Sequence, residues 1–438
     1  MKPATFLPFA ICLAFFLAAT QYIVAQRYMP DTSFWETKAS MSQIRTYFPS
    51  AVANGRIYAF GGIIANAGGI FTYTDKIEKY DPDTDEWSAA GTLPEPMCAM
   101  AAVELDGAIY IIGGVTDPTA STVNSKVYRY LPATGAFDAD TIASLPAPRG
   151  FLSACAAGGK IYAIGGATAF FGPAQNDVYV YDPALNNWAT LPNGLTIARA
   201  ASTSAVVGNK IYVMGGTVTW FTGLNSVEVY DFNNAHWVNN TVHLSNARAS
   251  HGSAVLSDII YTLGGIESTT SAEISAEAFG PEIPGGDSWE VFNNLTYDRR
   301  AFGCVAWPTD DAYSYIYIMG GNSGTAVISG TQRLLVNTVE ASEVSPASAE
   351  KVNTTLSNFP NPFDQYTTLS YSVDKSVYID ISIFDAAGQL ISTPVSGLQT
   401  PGEHRVSFDG AALETGLYFC VMKSEDGAVF VRKMVVMR

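Results

Sequence analysis

The pattern Ile-Tyr-x-x-Gly-Gly occurs six times in this chain, at residues 57–62, 109–114, 161–166, 211–216, 260–265 and 316–321. Successive double glycines are spaced 52, 52, 50, 49 and 56 residues apart. A repeat of that length is one supersecondary unit. It cannot bury its own faces and must stack on copies of itself.

Each copy has the same surroundings. A two-residue turn precedes it: Asn54-Gly55, Asp106-Gly107, Gly158-Gly159 or Gly208-Asn209. Such pairs tolerate positive φ and suit tight hairpins. Ahead of the turn lies a small apolar strand, as at 50–53 and 202–207. After the double glycine comes a strand ending in Tyr80, Tyr130, Tyr181 or Tyr230, then a short polar turn and an aromatic residue: Trp87, Phe137, Trp188, Trp237 or Trp289. That makes four short antiparallel strands per unit. Six such units predict an all-β chain with a six-bladed β-propeller over residues 26–336. The bare glycines are expected to let each blade's Tyr and Trp pack on the backbone. The sixth unit has only the strand 332–336 after its glycines, while Phe34-Trp35 stands alone near the N-terminus. The N-terminal segment is therefore expected to supply the outer strand of the last blade.

Double Gly, then Tyr, then Trp, with Arg opening the next unit, resembles the kelch repeat over about residues 31–336. Unit 2 departs from it with Phe137 for Trp and Met97 for Arg. Unit 5 departs with Phe279-Gly280 for the Tyr-Asp pair and a Pro/Gly-rich turn before Trp289.

Residues 337–351 read as a linker rich in Ser, Ala and Glu. Beyond it, strands at 367–373, 377–384, 389–392, 405–408, 416–422 and 429–437 read as a small immunoglobulin-like β-sandwich over 352–438. The order Pro360-Asn361-Pro362, then Asp385-Ala386-Ala387-Gly388, then Gly416-Leu417-Tyr418-Phe419, then Lys433, resembles the C-terminal sorting domain of the bacterial type IX secretion system. That resemblance implies the type IX secretion machinery as a partner. It also implies removal of the domain after export, and a destination outside the cell or on the outer-membrane surface of a Gram-negative bacterium.

The N-terminus agrees with export. Lys2, the apolar run 6–19 and the small-residue site at 23–25 read as a cleaved signal peptide over 1–25. No later stretch is long and apolar enough to read as a transmembrane span. With 24 Lys and Arg against 40 Asp and Glu, the net charge is −16, which argues against nucleic acid as a partner. Four His (His236, His243, His251, His404) do not suggest a metal centre, and no cofactor is expected. Cys98, Cys155, Cys304 and Cys420 match no metal motif and read as buried small side chains. Asp81-x-Asp83-x-Asp85 lacks the glycine of a calcium loop and reads as a polar turn.

The loops after the double glycines carry Phe71, Tyr73, Phe170, Phe171, Trp220 and Phe221. The arginines that open the units, Arg45, Arg149, Arg199, Arg248 and either Arg299 or Arg300, fall near the same face. Convergent arginines beside exposed aromatics suit an acidic sugar, a carboxylate or a peptide. The expected function is an extracellular binding protein for a glycan, peptide or protein ligand, with no catalytic residue assigned. The alternative is a sugar-processing enzyme resembling the sialic-acid mutarotases found on six-bladed kelch propellers, for which Glu104 and Glu228 are the carboxylates on strands.

Overall fold

The second strand of each unit carries the Ile-Tyr pair in a nearly continuous apolar run. Such a run belongs where both faces of a strand are covered. Accordingly Ile57, Ile109, Ile161, Ile211, Ile260 and Ile316 are all 0% exposed. The computed structural model describes residues 35–65, 71–117, 122–138, 142–220, 222–239, 242–268, 271–281, 288–292, 294–307, 313–324, 326–337, 355–359, 361, 363–373, 375–385, 390–424 and 429–436. The signal peptide, Phe34, Phe221, the linker from 338, Pro360, Pro362, most of the turn at 385–388 and the Pro/Gly-rich turn before Trp289 lie outside them.

The chain divides into two compact units, 1–340 and 341–438. The first contains six four-stranded antiparallel sheets. In blade 1 the strands Ser50–Ala53, Arg56–Phe60, Lys76–Asp81 and Glu86–Thr92 run from inside to outside. The innermost strands of blades 2 to 6 are Ala101–Leu105, Ser153–Ala157, Thr203–Val207, Gly252–Leu256 and Gly303–Trp307. Each neighbours the next, and the sixth neighbours the first, so the blades close into a ring.

Closure is non-covalent. Trp35–Lys38 pairs antiparallel with Thr331–Asn337, with Trp35 opposite Leu334 and Lys38 opposite Thr331. The Trp35 indole donates to the Asn294 carbonyl at 3.1 Å. A clasp of charges holds the strand on both sides. Arg333 reaches Glu36 at 2.6 Å, and Lys38 reaches Asp85 of blade 1 at 3.2 Å. Asp85 also accepts from the Ala39 N–H at 2.8 Å and the Tyr80 hydroxyl at 2.7 Å. The aspartate-rich turn thus serves the ring closure, with Asp81 paired to Arg56.

The double glycines have a different cause from the one expected. The second glycine of each pair donates its N–H to the carbonyl of the residue that opens the next unit. Gly62 reaches Met97 at 2.9 Å, and Gly321 closes the cycle on Arg45 at 2.8 Å. A Cβ on Gly61 would lie 2.5 Å from that Met97 oxygen, and Gly61 has φ +54°. The glycines admit the neighbouring blade's backbone, and no Tyr or Trp ring is in the way. Two of the tryptophans, Trp87 and Trp188, instead pin the preceding inter-blade loops. The Trp87 indole donates to the Ala39 carbonyl and the Trp188 indole to the Ala143 carbonyl, both at 2.9 Å.

The second unit pairs a sheet of Thr355–Phe359, Tyr366–Val373 and Gly402–Asp409 with one of Leu390–Gln399, Val377–Asp385, Gly416–Ser424 and Val429–Val436. Alternating burial along Tyr366–Val373 and Val377–Asp385 builds one apolar core, from Leu356 and Phe363 to Met434 and Val436. Leu390–Gln399 runs beyond the expected 389–392: Pro394 lies at a register shift of an edge strand, where a missing donor is tolerated. No helix among the described residues is long and apolar enough to cross a membrane.

Two outcomes follow for the clasp. Deleting residues 31–40 should abolish cooperative unfolding of the propeller, read by calorimetry; an unchanged melting profile would refute the closure. Burial tends to raise the Glu36 and Asp85 carboxyls. The hydrogen bonds from Arg333 and Lys38 on one, and from Ala39, Tyr80 and Lys38 on the other, outweigh it and hold both below the usual carboxylate range. A depressed native pKa contributes stability above the unfolded value and loses it as pH falls through the native one. Exchange protection at 35–38 should therefore fall below about pH 4, and Glu36→Gln with Asp85→Asn should flatten that dependence.

Candidate functional site

Two residues beyond each opening Arg or Met97 the chain turns into a left-handed conformation. Tyr47, Ala99, Phe151, Ala201, Ser250 and Ala301 have φ of +53, +53, +56, +53, +53 and +50°. That geometry turns each N–H onto the carbonyl of the equivalent residue one blade back. Tyr47 donates to Ala301 (2.9 Å), Ala99 to Tyr47 (2.8 Å), Phe151 to Ala99 (2.7 Å), Ala201 to Phe151, Ser250 to Ala201 and Ala301 to Ser250 (2.8 Å each). Six bonds that visit every blade in order must encircle the axis. They form the throat of the central channel. A cavity of about 110 Å³ lies there, lined by these residues with Phe48, Met100, Leu152, Ser202, His251 and Phe302. That is room for waters, and it is smaller than the roughly 300–1,000 Å³ of a small-molecule site.

The opening arginines do not face this throat. Arg45, Arg199, Arg248 and Arg299 are 0% exposed and Arg149 is 4%. This corrects the expectation of an open arginine cluster, and the reason is internal pairing. Arg199 donates to the Gly215 carbonyl at 2.8 Å, the Ser226 carbonyl at 3.1 Å and Glu228 at 2.7 Å. Arg248 makes the same bonds to Gly264, Ser275 and Glu277, the last at 2.5 Å. Arg45 does so with Gly61, Lys76 and Glu78. Each carboxylate in turn accepts backbone N–H groups of the incoming loop: Ser42 at Glu78, Thr196 and Ile197 at Glu228, Ser245 and Asn246 at Glu277. The ion pair thus ties a loop, a glycine turn and the third strand together. In blade 3, Tyr179 replaces the Glu, and Arg149 donates to its hydroxyl oxygen at 2.9 Å and to Asp177 at 2.5 Å. Blade 2 lacks both partners, with Met97 for Arg and Tyr128 for Glu.

The aromatics do converge, and the mouth of the throat is where they meet. Phe151 contacts Phe170 at 5.0 Å and Trp220 at 4.7 Å between ring centroids. Phe171 contacts Phe170 at 4.8 Å and Trp220 at 5.4 Å, while Tyr47 contacts Phe151 at 5.6 Å and Phe170 at 6.2 Å. Phe171 is 65% exposed. Phe171 and Trp220 both sit at positive φ, +57 and +69°, which bulky side chains rarely adopt. The Trp220 indole fixes its loop by donating to the Gly172 carbonyl at 2.6 Å. Tyr73 packs into the same patch beside Cys98, whose thiol burial pushes up to about 12. Phe71 stands apart, 59% exposed on a hairpin of blade 1. Tyr47 and Phe151 were not singled out from sequence. The signal was available, since both are bulky two residues past the unit opening, where the other four units carry Ala or Ser.

The remaining chemical groups are bound into the scaffold. Glu228 is spent on Arg199, and Glu104 accepts the Gly107 N–H of its own turn at 2.7 Å. His251 is buried against Thr203 at 2.8 Å; burial, then the Arg248 charge, press its pKa well below the ordinary value. His236 and His243 are exposed elsewhere. Among the described residues no three His, Cys, Asp or Glu gather as metal ligands, and the four cysteines are free.

The KLHDC2/KLHL20/DRC7 Kelch-repeats domain family matches residues 47–265, and the secretion system C-terminal sorting domain family matches 357–437. The Kelch-like protein terF of Aspergillus terreus is 30% identical over 200 residues, 44% of this chain and 43% of that protein. Beta-scruin of Limulus polyphemus is 29% identical over 160 residues, 35% of this chain and 17% of that protein. The chain thus spans less than half the length of these relatives. The solved structure of YjhT, at 14% identity, aligns with a TM-score of 0.56 over 68% of this chain and 99% of that one, a likeness of fold.

Removing one partner of a buried ion pair costs about 3–5 kcal/mol, whereas replacing both by apolar groups is often neutral. Arg248→Ala should therefore lower stability by about that amount. Arg248→Met with Glu277→Tyr, the solution blade 2 already uses, should recover most of it. Denaturant unfolding checks both; equal losses in the two variants would contradict the coupling.

Proposed function

Because the chain belongs to the kelch-repeat family and carries a secretion-system sorting domain, we propose that it is a type IX-exported binding protein that works outside the cell or on its outer surface. Its ligand, a glycan, peptide or protein, docks on the aromatic mouth of the propeller. The observation that carries this reading is Phe171. It is a large apolar ring, mostly exposed, held at positive φ on a loop fixed by Trp220 and set edge-on against the Trp220 ring at the mouth. An exposed aromatic patch marks an interaction surface more often than a packing accident. Backbone strain concentrates where function requires a fixed side chain.

The narrow throat supports docking on the face rather than capture inside. Glu228 is bound to Arg199 and Glu104 to its own turn, which leaves the mutarotase alternative without either carboxylate weighed for it.

The test is a glycan and peptide array probed with the full chain. Phe171→Ser and Trp220→Ala should each weaken the captured ligand by at least about 2 kcal/mol, the cost of removing an aromatic anchor. Phe171→Ser should leave the melting temperature unchanged, since its ring is exposed. Binding retained in both variants would end the proposal.

A further inference from the structure

The residue just before each throat position is Thr46, Cys98, Gly150, Ala200, Ala249 or Arg300. All six are structurally equivalent, since each forms an antiparallel bridge with the residue after its double glycine: Ile63, Val115, Ala167, Thr217, Ile266 and Asn322. Cys98 and Ala200 at this level lie in the apolar patch with Phe151, Phe170 and Trp220, so the position belongs to the mouth. Five blades place a small side chain there and blade 6 places a guanidinium. Its backbone is fixed by two bonds to Asn322, at 3.0 and 2.9 Å.

Blade 6 is also where the charge pairing fails. Gln332 occupies the register position held by Glu78, Glu228 and Glu277 in blades 1, 4 and 5. The fully buried Arg299 is left with neutral partners: the Tyr297 hydroxyl, the Gly330 carbonyl at 3.2 Å and Gln332 at 3.3 Å. Among the described residues neither Arg299 nor Arg300 has a carboxylate within ion-pair distance. A buried charge without a counter-ion is costly, and an anion placed beside it offsets that cost. Across the mouth, Tyr47 joins the two sides. Its ring packs on Phe151 and Phe170, and its phenol interacts with the Ser250 hydroxyl and the Arg300 charge.

We infer that the blade 6 side of the mouth is an anion subsite, with Arg300 as the contacting cation, Arg299 as the buried charge behind it, and the Ser250 and Tyr47 hydroxyls as auxiliary donors. The inference rests on the aromatic mouth being the binding face. It specifies the ligand class as a carboxylate attached to an apolar or ring-shaped body, with the body against Phe170, Phe171 and Trp220. Guanidinium pairs with carboxylate in a two-pronged geometry that a lysine cannot reproduce.

The test uses the full chain and three probes of one shape: 3-phenylpropionate, 3-phenylpropanol and 3-phenylpropylamine, titrated by ligand-observed NMR. The acid should bind about tenfold tighter than the alcohol at low salt, and the amine most weakly. High salt should shrink the acid's advantage. In Arg300→Gln the acid should fall to the level of the alcohol, with alcohol binding unchanged. Phe171→Ser should weaken acid and alcohol alike. Competition by glucuronate or by N-acetylphenylalanine then tells a sugar acid from a peptide carboxyl terminus. Equal binding of acid and alcohol, still sensitive to Phe171→Ser, would overturn the anion subsite and leave the aromatic mouth standing. Binding indifferent to Phe171→Ser would remove the mouth itself, and the subsite with it.

Discussion

The propeller depends on one close approach, repeated six times, between a glycine N–H and the carbonyl of the residue that opens the next unit. The distance leaves no room for a Cβ at the first glycine of the pair. Everything else at the mouth is organised by that contact. It holds the opening residue in place, so the arginine side chain folds back onto its own blade, and the residue two positions on turns left-handed to close the throat. Propeller blades are joined chiefly by apolar faces, which are non-directional. Here a ring of directed bonds adds a fixed angle between neighbours.

This arrangement separates two roles that look alike in sequence. An arginine opening a unit near a ligand face invites a functional reading, yet four of the five carry a carboxylate partner and all five are buried. The pairing is internal to each unit, so its presence or absence is a property of the unit. Blade 2 shows this by lacking both members at once. Blade 6 shows it differently, retaining the arginine while changing the acid to an amide. The exceptions are where the repeat pattern stops explaining the residues.

Much of the fold was legible because a period of about 50 residues with hairpin turns has few stable solutions. Strand order, the blade boundaries and the N-terminal closing strand followed from spacing and from an orphaned Trp35. The purpose of the glycines was not legible, because the atom they avoid belongs to a residue some 36 positions away, on another blade. The burial of the arginines was partly legible. Glu78, Glu228 and Glu277 lie 33, 29 and 29 residues after Arg45, Arg199 and Arg248, a recurrence that was there to be found. In the sorting module the expected strand 389–392 falls short of Leu390–Gln399, because an edge strand can continue through a proline at a register shift where no donor is needed.

The closing strand has a kinetic meaning as well as a static one. Trp35 pairs with Leu334, so the contact that completes the ring joins residues about 300 apart. Loop-closure entropy grows slowly with length, so the final state is not much weakened by that separation. The order of events is nonetheless constrained. The third strand of the last blade must exist before Trp35–Lys38 has anything to pair with. Until then an unpaired edge and an open blade face remain exposed, the kind of surface that other chains add to. For a chain that carries a secretion-system sorting domain, that late closure makes the interval before the last blade is complete the period of greatest vulnerability to misassembly.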